Sequence, residues 1–182
     1  MSHVLGIDLS LTGTGVVHLV LGKPVIRVRI ESKQKGTARL IEIEEKLKSI
    51  INAHPLLDLV LIEGYAYAAA NQAHQTGELG GVIRVMLNKK MLRWIEVAPS
   101  QVKKFAIGKG NAKKDLVLLN VFKKWGVEFE TSDEADAFVL AKIGQALLND
   151  DHDQNNKDSL RQYQLEVIEE LYKKYKEVLP NG

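Results

Sequence analysis

Four carboxylates stand where a side chain can do chemistry. Asp8 ends the apolar run HVLGI, residues 3–7, and a polar, glycine-bearing turn, SLTGTG, follows at 10–15. Glu63 ends a second apolar run, DLVLI, at 58–62. Asp133 and Asp136 lie three residues apart in a helical pattern, so they share one face of its first turn. They also sit at the positive end of the helix dipole, which favours their ionised forms. An anion among apolar residues is costly unless it is hydrogen-bonded or paired with a cation. An oxygen-only set suits hard cations, above all Mg²⁺. Two such ions about 4 Å apart activate a water and stabilise a leaving oxygen at a phosphodiester. Each acid alone also has a plainer role. Asp8 can accept bonds from turn amides, and Asp133 and Asp136 are good first-turn helix chemistry.

The elements around these acids are legible from periodicity. Residues 3–7, 16–20 and 25–30 are short β-branched runs separated by turn residues, as in a three-stranded antiparallel meander. Residues 37–51 carry Leu40, Ile43, Leu47, Ile50 and Ile51 at helical spacing, and His54-Pro55 ends the pattern. The continuous apolar run at 58–62 predicts a strand buried on both faces. A crossover helix between two strands predicts a parallel pair, with Asp8 and Glu63 at one sheet edge. Ligands of open α/β sheets bind at such edges. Residues 65–76 predict a loop running into a helix that contains Gly77, Gly80 and Gly81, whose small size permits a close dimer contact or merely accommodates the sheet. A short strand at 93–97 and a turn or two of helix at 99–106 come next. After the loop at 108–111, a helix at 112–125 offers Leu116, Leu119, Val121 and Phe122 to the core. Thr131 or Ser132 caps the helix at 133–148, which buries Ala137, Val139, Leu140, Ile143 and Leu147. Residues 149–158, NDDHDQNNKD, predict a solvated linker, and a last helix follows with an apolar stripe of Leu160, Ile168, Leu171, Tyr175 and Val178.

The chain of 182 residues is 45% apolar and 26% charged, as expected of one globular domain. It contains no cysteine, which excludes disulfides and thiolate metal sites and fits a reducing cytoplasm. No basic start leads into a long apolar run, and no window is long enough to span a membrane. Net charge is only +2, but residues 100–125 hold seven lysines against one acid, and residues 128–153 hold eight acids against one lysine. A polyanion site beside a cation site has this pattern, and so do two solvated helix faces of opposite sign.

At these residues the sequence resembles the RuvC family of Holliday-junction resolvases, within the RNase H-like superfamily. GIDLSLTGTG resembles the family's first strand with its first acid, Asp8, and LVLIEG the strand bearing the second, Glu63. TGELGGVIRVML is similar to the central dimer helix. VAPSQVKKFAIGKGNAKKD resembles the basic DNA-binding segment, where the lysines matching Lys103 and Lys114 act on DNA. DEADAFVLA resembles the helix with the last two acids, Asp133 and Asp136. Family members often carry a phenylalanine in the loop after the second acid, to insert at the crossover. Here that loop has Ala66 between Tyr65 and Tyr67. The chain after Asn149 exceeds a typical bacterial member.

The resemblance implies an RNase H-like α/β fold with a mixed sheet, three antiparallel strands then parallel ones, flanked by helices. It places the nuclease domain at 1–148, a polar linker at 149–158 and an extra C-terminal helix at 159–182. It implies a homodimeric endonuclease that nicks DNA four-way junctions at two symmetric strands, leaving 5′-phosphate and 3′-hydroxyl ends. Two Mg²⁺ ions per site are implied, with Mn²⁺ as substitute. Asp8 would bridge both ions, Glu63 would bind one, and Asp136 with Asp133 the other. Lys103, Lys104, Lys109, Lys113 and Lys114 would contact phosphates, and Tyr65 or Tyr67 would stack at the crossover. The expected setting is the cytoplasm of a bacterium or of a phage-infected host, with no membrane and no small-molecule cofactor. Three rival readings stand. One is a general fork and flap debranching nuclease, and another a non-catalytic branched-DNA binder. The third is an actin-like or sugar-kinase ATPase, whose phosphate loop LSLTGTG resembles but whose second domain 182 residues cannot hold.

Overall fold

The computed structural model describes residues 2–64, 73–111, 114–149 and 160–179. Strands β1 (His3–Asp8), β2 (Thr14–Val20) and β3 (Lys23–Ile30) form the expected antiparallel meander. The β2–β3 turn is the two-residue loop Leu21-Gly22, with φ of 50° and 76°. Two consecutive left-handed residues match the twist of a tight hairpin, and glycine makes the second one cheap. Helix α1 (Gly36–Ala53) crosses to β4 (Leu59–Glu63), which pairs parallel with β1 from Val4↔Leu59 to Ile7↔Ile62. Helix α2 (Ala73–Lys89) leads to β5 (Trp94–Val97), parallel to β4. The sheet order is β3-β2-β1-β4-β5. Helices α3 (Pro99–Ile107), α4 (Lys114–Trp125), α5 (Ser132–Asn149) and α6 (Gln162–Tyr175) complete the chain.

Side-chain alternation along the strands divides the core into two layers. Leu5, Ile7, Val60 and Ile62 face α1 and α2. Val4, Leu59, Leu61 and Val97 face α5, with α3, α4 and α6 around it. Position 8 has the parity of Val4 and Gly6, and position 63 that of Leu59 and Leu61. Asp8 and Glu63 therefore point to the α5 side.

Helix α5 lies almost on the strand backbone. A Cβ added to Gly6 would stand 2.0 Å from the Ala137 carbonyl oxygen, and one on Gly15 would stand 2.0 Å from that of Asp133. At the other end a Cβ on Gly144 would meet Leu61 at 2.2 Å and Val4 at 2.6 Å. Glycine is the one residue that leaves room at these three points. Their order shows that α5 runs antiparallel to β1, with its N-terminus over the Asp8 end.

Helix α4 departs from expectation at three of its four expected core residues and meets it at Val121. Leu116, Leu119 and Phe122 are 45%, 46% and 53% exposed, while Val117 and Val121 are fully buried. The helix carries apolar residues around most of its circumference, so periodicity alone does not choose the face. The i, i+4 valine pair fits against the helices that cover the sheet. Helix α6 packs on α3 and α5, and its Val167, Ile168 and Leu171 join their core. Tyr65, Tyr67 and the polar run after Asn149 lie outside the described residues.

His18 of β2 is 2% exposed, and among the described residues neither ring nitrogen has a hydrogen-bond partner. Its ring packs against His3 and His54, with centroids 5.6 and 5.0 Å away. Burial, then the neighbouring His54 and His3, lower its pKa from 6.5 to about 4.

Two outcomes follow from this packing. Gly6→Ala should destabilise by at least about 1–3 kcal/mol in urea melts, because the opposing atom is backbone and cannot swing away. Between pH 6.5 and 4 the unfolded chain takes up a proton that folded His18 refuses. Stability should therefore fall as pH drops through that window, and His18→Leu should flatten the slope in chemical melts run at each pH.

Candidate active site

Four neighbouring strands present one lateral row. Asp8 pairs with Gly15 across β1–β2, and Gly15 pairs with Arg29 across β2–β3. On the other side the β1–β4 register ends at Ile7↔Ile62, so Asp8 and Glu63 are the next residues in line. Parallel strands lie about 4.8 Å apart. The gap at Gly15 is filled by the first turn of α5, whose Asp133 carbonyl rests on it. Asp136 follows three residues on, on the same face of the helix. It is 5% exposed, as is Asp8, whereas Glu63 is half-buried.

That first turn is held by a reciprocal cap. Thr131 Oγ1 accepts from the Glu134 amide at 3.3 Å, and the Thr131 amide donates to Glu134 Oε2 at 3.2 Å. The hydroxyl also donates to Oε2 at 2.7 Å. Thr131 is thus the cap residue, with glutamate at the third helical position. The turn after Asp8 has its own bonds. The Ser10 amide donates to Thr14 Oγ1 at 3.3 Å, and the Thr12 amide to Ser10 Oγ at 3.3 Å. Two turn amides are thereby engaged by hydroxyls.

Asp133 has a partner on β3. Its carboxylate accepts from Arg29 Nε at 2.9 Å, a partner that the sequence pattern gave no reason to place here. Arg29 also pairs with Glu31 and donates to the Thr12 carbonyl at 3.4 Å. The set of Asp8, Glu63, Asp133 and Asp136 therefore shares one edge of the fold through its backbone positions. Among the described residues, no three carboxylate or imidazole side chains stand together as a closed metal-ligand group. The donor chemistry nevertheless fits a hard cation. Two carboxylates are buried at this edge beside a third, and every donor is oxygen.

The basic segment starts from the same edge. Glu63 pairs with Val97, the last residue of β5, and α3 begins two residues later. Lys103 is half-buried and Lys109 exposed. Lys104 pairs with Glu166 of α6 at 2.8 Å. Lys124, outside the expected set, lies over the rings of Trp125, Tyr163 and Phe105, and burial lowers its pKa to about 8. Lys113, Tyr65, Tyr67 and the side chain of Lys114 lie outside the described residues. No helix among the described residues is long and apolar enough to cross a membrane.

The family model for crossover junction endodeoxyribonuclease RuvC matches residues 4–143. The chain belongs to the RuvC family. It is 30% identical over 150 residues to the RuvC of Chloroherpeton thalassium, covering 77% of this chain and 80% of that protein. It is 28% identical over 150 residues to the RuvC of Synechococcus sp. (strain WH7803), covering 78% of this chain and 97% of the relative. The fold matches that of Thermus thermophilus RuvC, solved in complex with a Holliday junction substrate. The TM-score is 0.65 at 23% identity, covering 78% of this chain and 91% of that one. The RuvC match stops inside α5, so α6 lies beyond it.

The cap should be measurable on its own. Thr131→Ala should cost about 1 kcal/mol of stability by losing the side-chain acceptor at the start of α5. Paired denaturation curves of the variant and the parent protein check this.

Proposed function

We propose that this RuvC protein is a metal-dependent endonuclease that resolves DNA four-way junctions by paired, symmetric nicks, leaving 5′-phosphate and 3′-hydroxyl ends. The observation that carries the reading is the placement of Asp8, Glu63 and Asp136 at one sheet edge in a chain of this family. The proteins it resembles are named crossover junction endodeoxyribonucleases, and the Thermus relative was solved with a Holliday junction.

In this reading Asp8 would be shared by two Mg²⁺ ions, Glu63 would hold one, and Asp136 with Asp133 the other. Bound ions of this kind lower the pKa of a water and neutralise charge at the scissile phosphate, and Mn²⁺ can replace Mg²⁺. The chain's own part is to fix the ligands on rigid elements. Asp8 and Glu63 are strand ends, and Asp136 belongs to a capped helix pressed on the sheet. Lys103 and Lys109 hold backbone phosphates, with Lys113 and Lys114 continuing the track. Lys104 contributes less, because Glu166 already offsets its charge. Tyr65 or Tyr67 stacks on a base at the crossover.

Paired nicks require two sites related by a two-fold axis, so the active species is a homodimer. An open groove of about 610 Å³ between α1 and α2, lined by Leu40, Gly81, Val82, Val85 and Met86, supports this. Val85 is 53% exposed there, and among the described residues nothing outside α2's own backbone lies within 4 Å of a Cβ on Gly81. The nuclease body is residues 1–148 and the segment 149–158 is a linker. The last helix is an addition that packs back on α3 and α5.

Labelled junction, fork, flap and duplex substrates, with and without Mg²⁺, test the reading. Junctions should be cut at two symmetric positions only with metal present. Asp8→Asn should lower cutting by orders of magnitude while junction binding persists, since the metal ligand is lost and the fold is not. Cleavage at near parental rate by Asp8→Asn would sink the metal-nuclease reading. Equal cutting of forks and flaps would make the protein a general debranching nuclease.

A second outcome concerns the lysines. Lys103→Ala and Lys109→Ala should each weaken junction binding and reduce the salt slope by about 1, whereas Lys104→Ala should change it less. Binding isotherms at several salt concentrations measure this. Equal slopes for all three variants would place the DNA track elsewhere.

A further inference from the structure

Arg29 is built into the acidic site from a strand that carries none of the expected acids. Its Nε donates to Asp133 Oδ2 at 2.9 Å, it pairs with Glu31, and it reaches the Thr12 carbonyl. Its side chain lies across Gly13. A Cβ at that position would stand 2.2 Å from the terminal Nη2, 2.3 Å from Nε and 2.4 Å from Cζ. The turn after Asp8 therefore needs glycine at 13 to seat this guanidinium. In the sheet, Arg29 and Asp8 are the two side chains either side of Gly15, in one register row. Two strand spacings separate their backbones by about 10 Å, a gap that a side chain as long as arginine can largely cross.

We propose that Arg29 is a positioning residue of the acidic site. It is the site's internal counter-ion: it holds Asp133 toward β3 and makes metal uptake contend with a guanidinium. The inference rests on the metal-site reading above. A cluster of carboxylates without a cation repels itself, and a fixed guanidinium at its rim relieves that repulsion. The same charge opposes a divalent ion arriving nearby. Glu31 and the Thr12 carbonyl help to seat the guanidinium against Asp133, and the two side chains act as one unit. Arginine suits the role because it stays charged and holds a fixed fork geometry.

Mn²⁺ binding to the DNA-free, full-length protein tests this, with free Mn²⁺ counted by electron paramagnetic resonance. Arg29→Gln should bind Mn²⁺ about tenfold tighter than the parent protein, as loss of one charge several ångströms from a divalent ion predicts. Arg29→Lys keeps the charge and should stay within about threefold of the parent. Gly13→Ala keeps every charge but takes the guanidinium's space, so it should shift affinity in the direction of Arg29→Gln. It also serves if Arg29→Gln fails to fold. In an Asp133→Asn background the Arg29→Gln shift should shrink to about threefold or less, because the two side chains act as a pair. Equal or weaker Mn²⁺ binding by both Arg29→Gln and Gly13→Ala would overturn the counter-ion role, as would a full shift without Asp133. A parent protein that binds no Mn²⁺, or binds it equally well after Asp8→Asn, would instead overturn the metal-site reading itself.

Discussion

The structure depends on the contact between helix α5 and the glycine backbone of β1 and β2. A helix normally rests on a sheet through a layer of side chains. Here the Ala137 and Asp133 carbonyls sit over Gly6 and Gly15, where even a methyl group would collide. Gly144 performs the same service from the helix side against Val4 and Leu61. The helix is thereby lowered until its first turn reaches the level of the strand ends. Asp8 and Glu63 arrive there as the last residues of parallel strands, and Asp133 and Asp136 from one face of the helix near its N-terminus. Without that close seating the acids would belong to separate layers.

Gathering acids at one place costs stability, and several local devices offset it. The cap between Thr131 and Glu134 secures the α5 N-terminus whose dipole faces the carboxylates. Arg29 sets a guanidinium against Asp133. The hydroxyl bonds among Ser10, Thr12 and Thr14 order the turn that follows Asp8. These features lie on rigid elements or on short turns between them. A site that must align ligands to within a fraction of an ångström is better carried by such elements than by long loops.

Much of this was legible in the sequence. The apolar runs ending in Asp8 and Glu63 are strands because a continuous apolar stretch of that length suits burial on both faces. The parallel pairing follows from the intervening helical pattern, and the helix start at Thr131 from its cap residues. Other features were hidden for physical reasons. Arg29 reads as an ordinary outward residue of an exposed strand, and its role appears only when β3 and α5 meet 104 residues apart in sequence. The pairing of Lys104 with Glu166 is also remote in sequence, so the charge of one member of a uniform-looking lysine run is offset unseen. On α4 the leucines surround the helix, and the buried face was chosen by Val117 and Val121, which fit the space available. The closeness demanded at Gly6 also leaves no mark in a single sequence, since a glycine in a strand has several explanations.

Helix α6 extends this architecture past the part shared with the family model. It covers α3 with Val167, Ile168 and Leu171, and it adds Tyr163 beside Lys124 and Gly108. The basic segment is thus anchored from both sides, by the sheet edge through β5 and by α6 from without. The central claim, that the α5 contact assembles one metal site from strand and helix acids, is tested most directly by anomalous diffraction at the manganese edge from crystals soaked in Mn²⁺. The account predicts a peak bounded by the carboxylates of Asp8, Glu63 and Asp136. Peaks confined to other parts of the surface, with none at that edge, would contradict it.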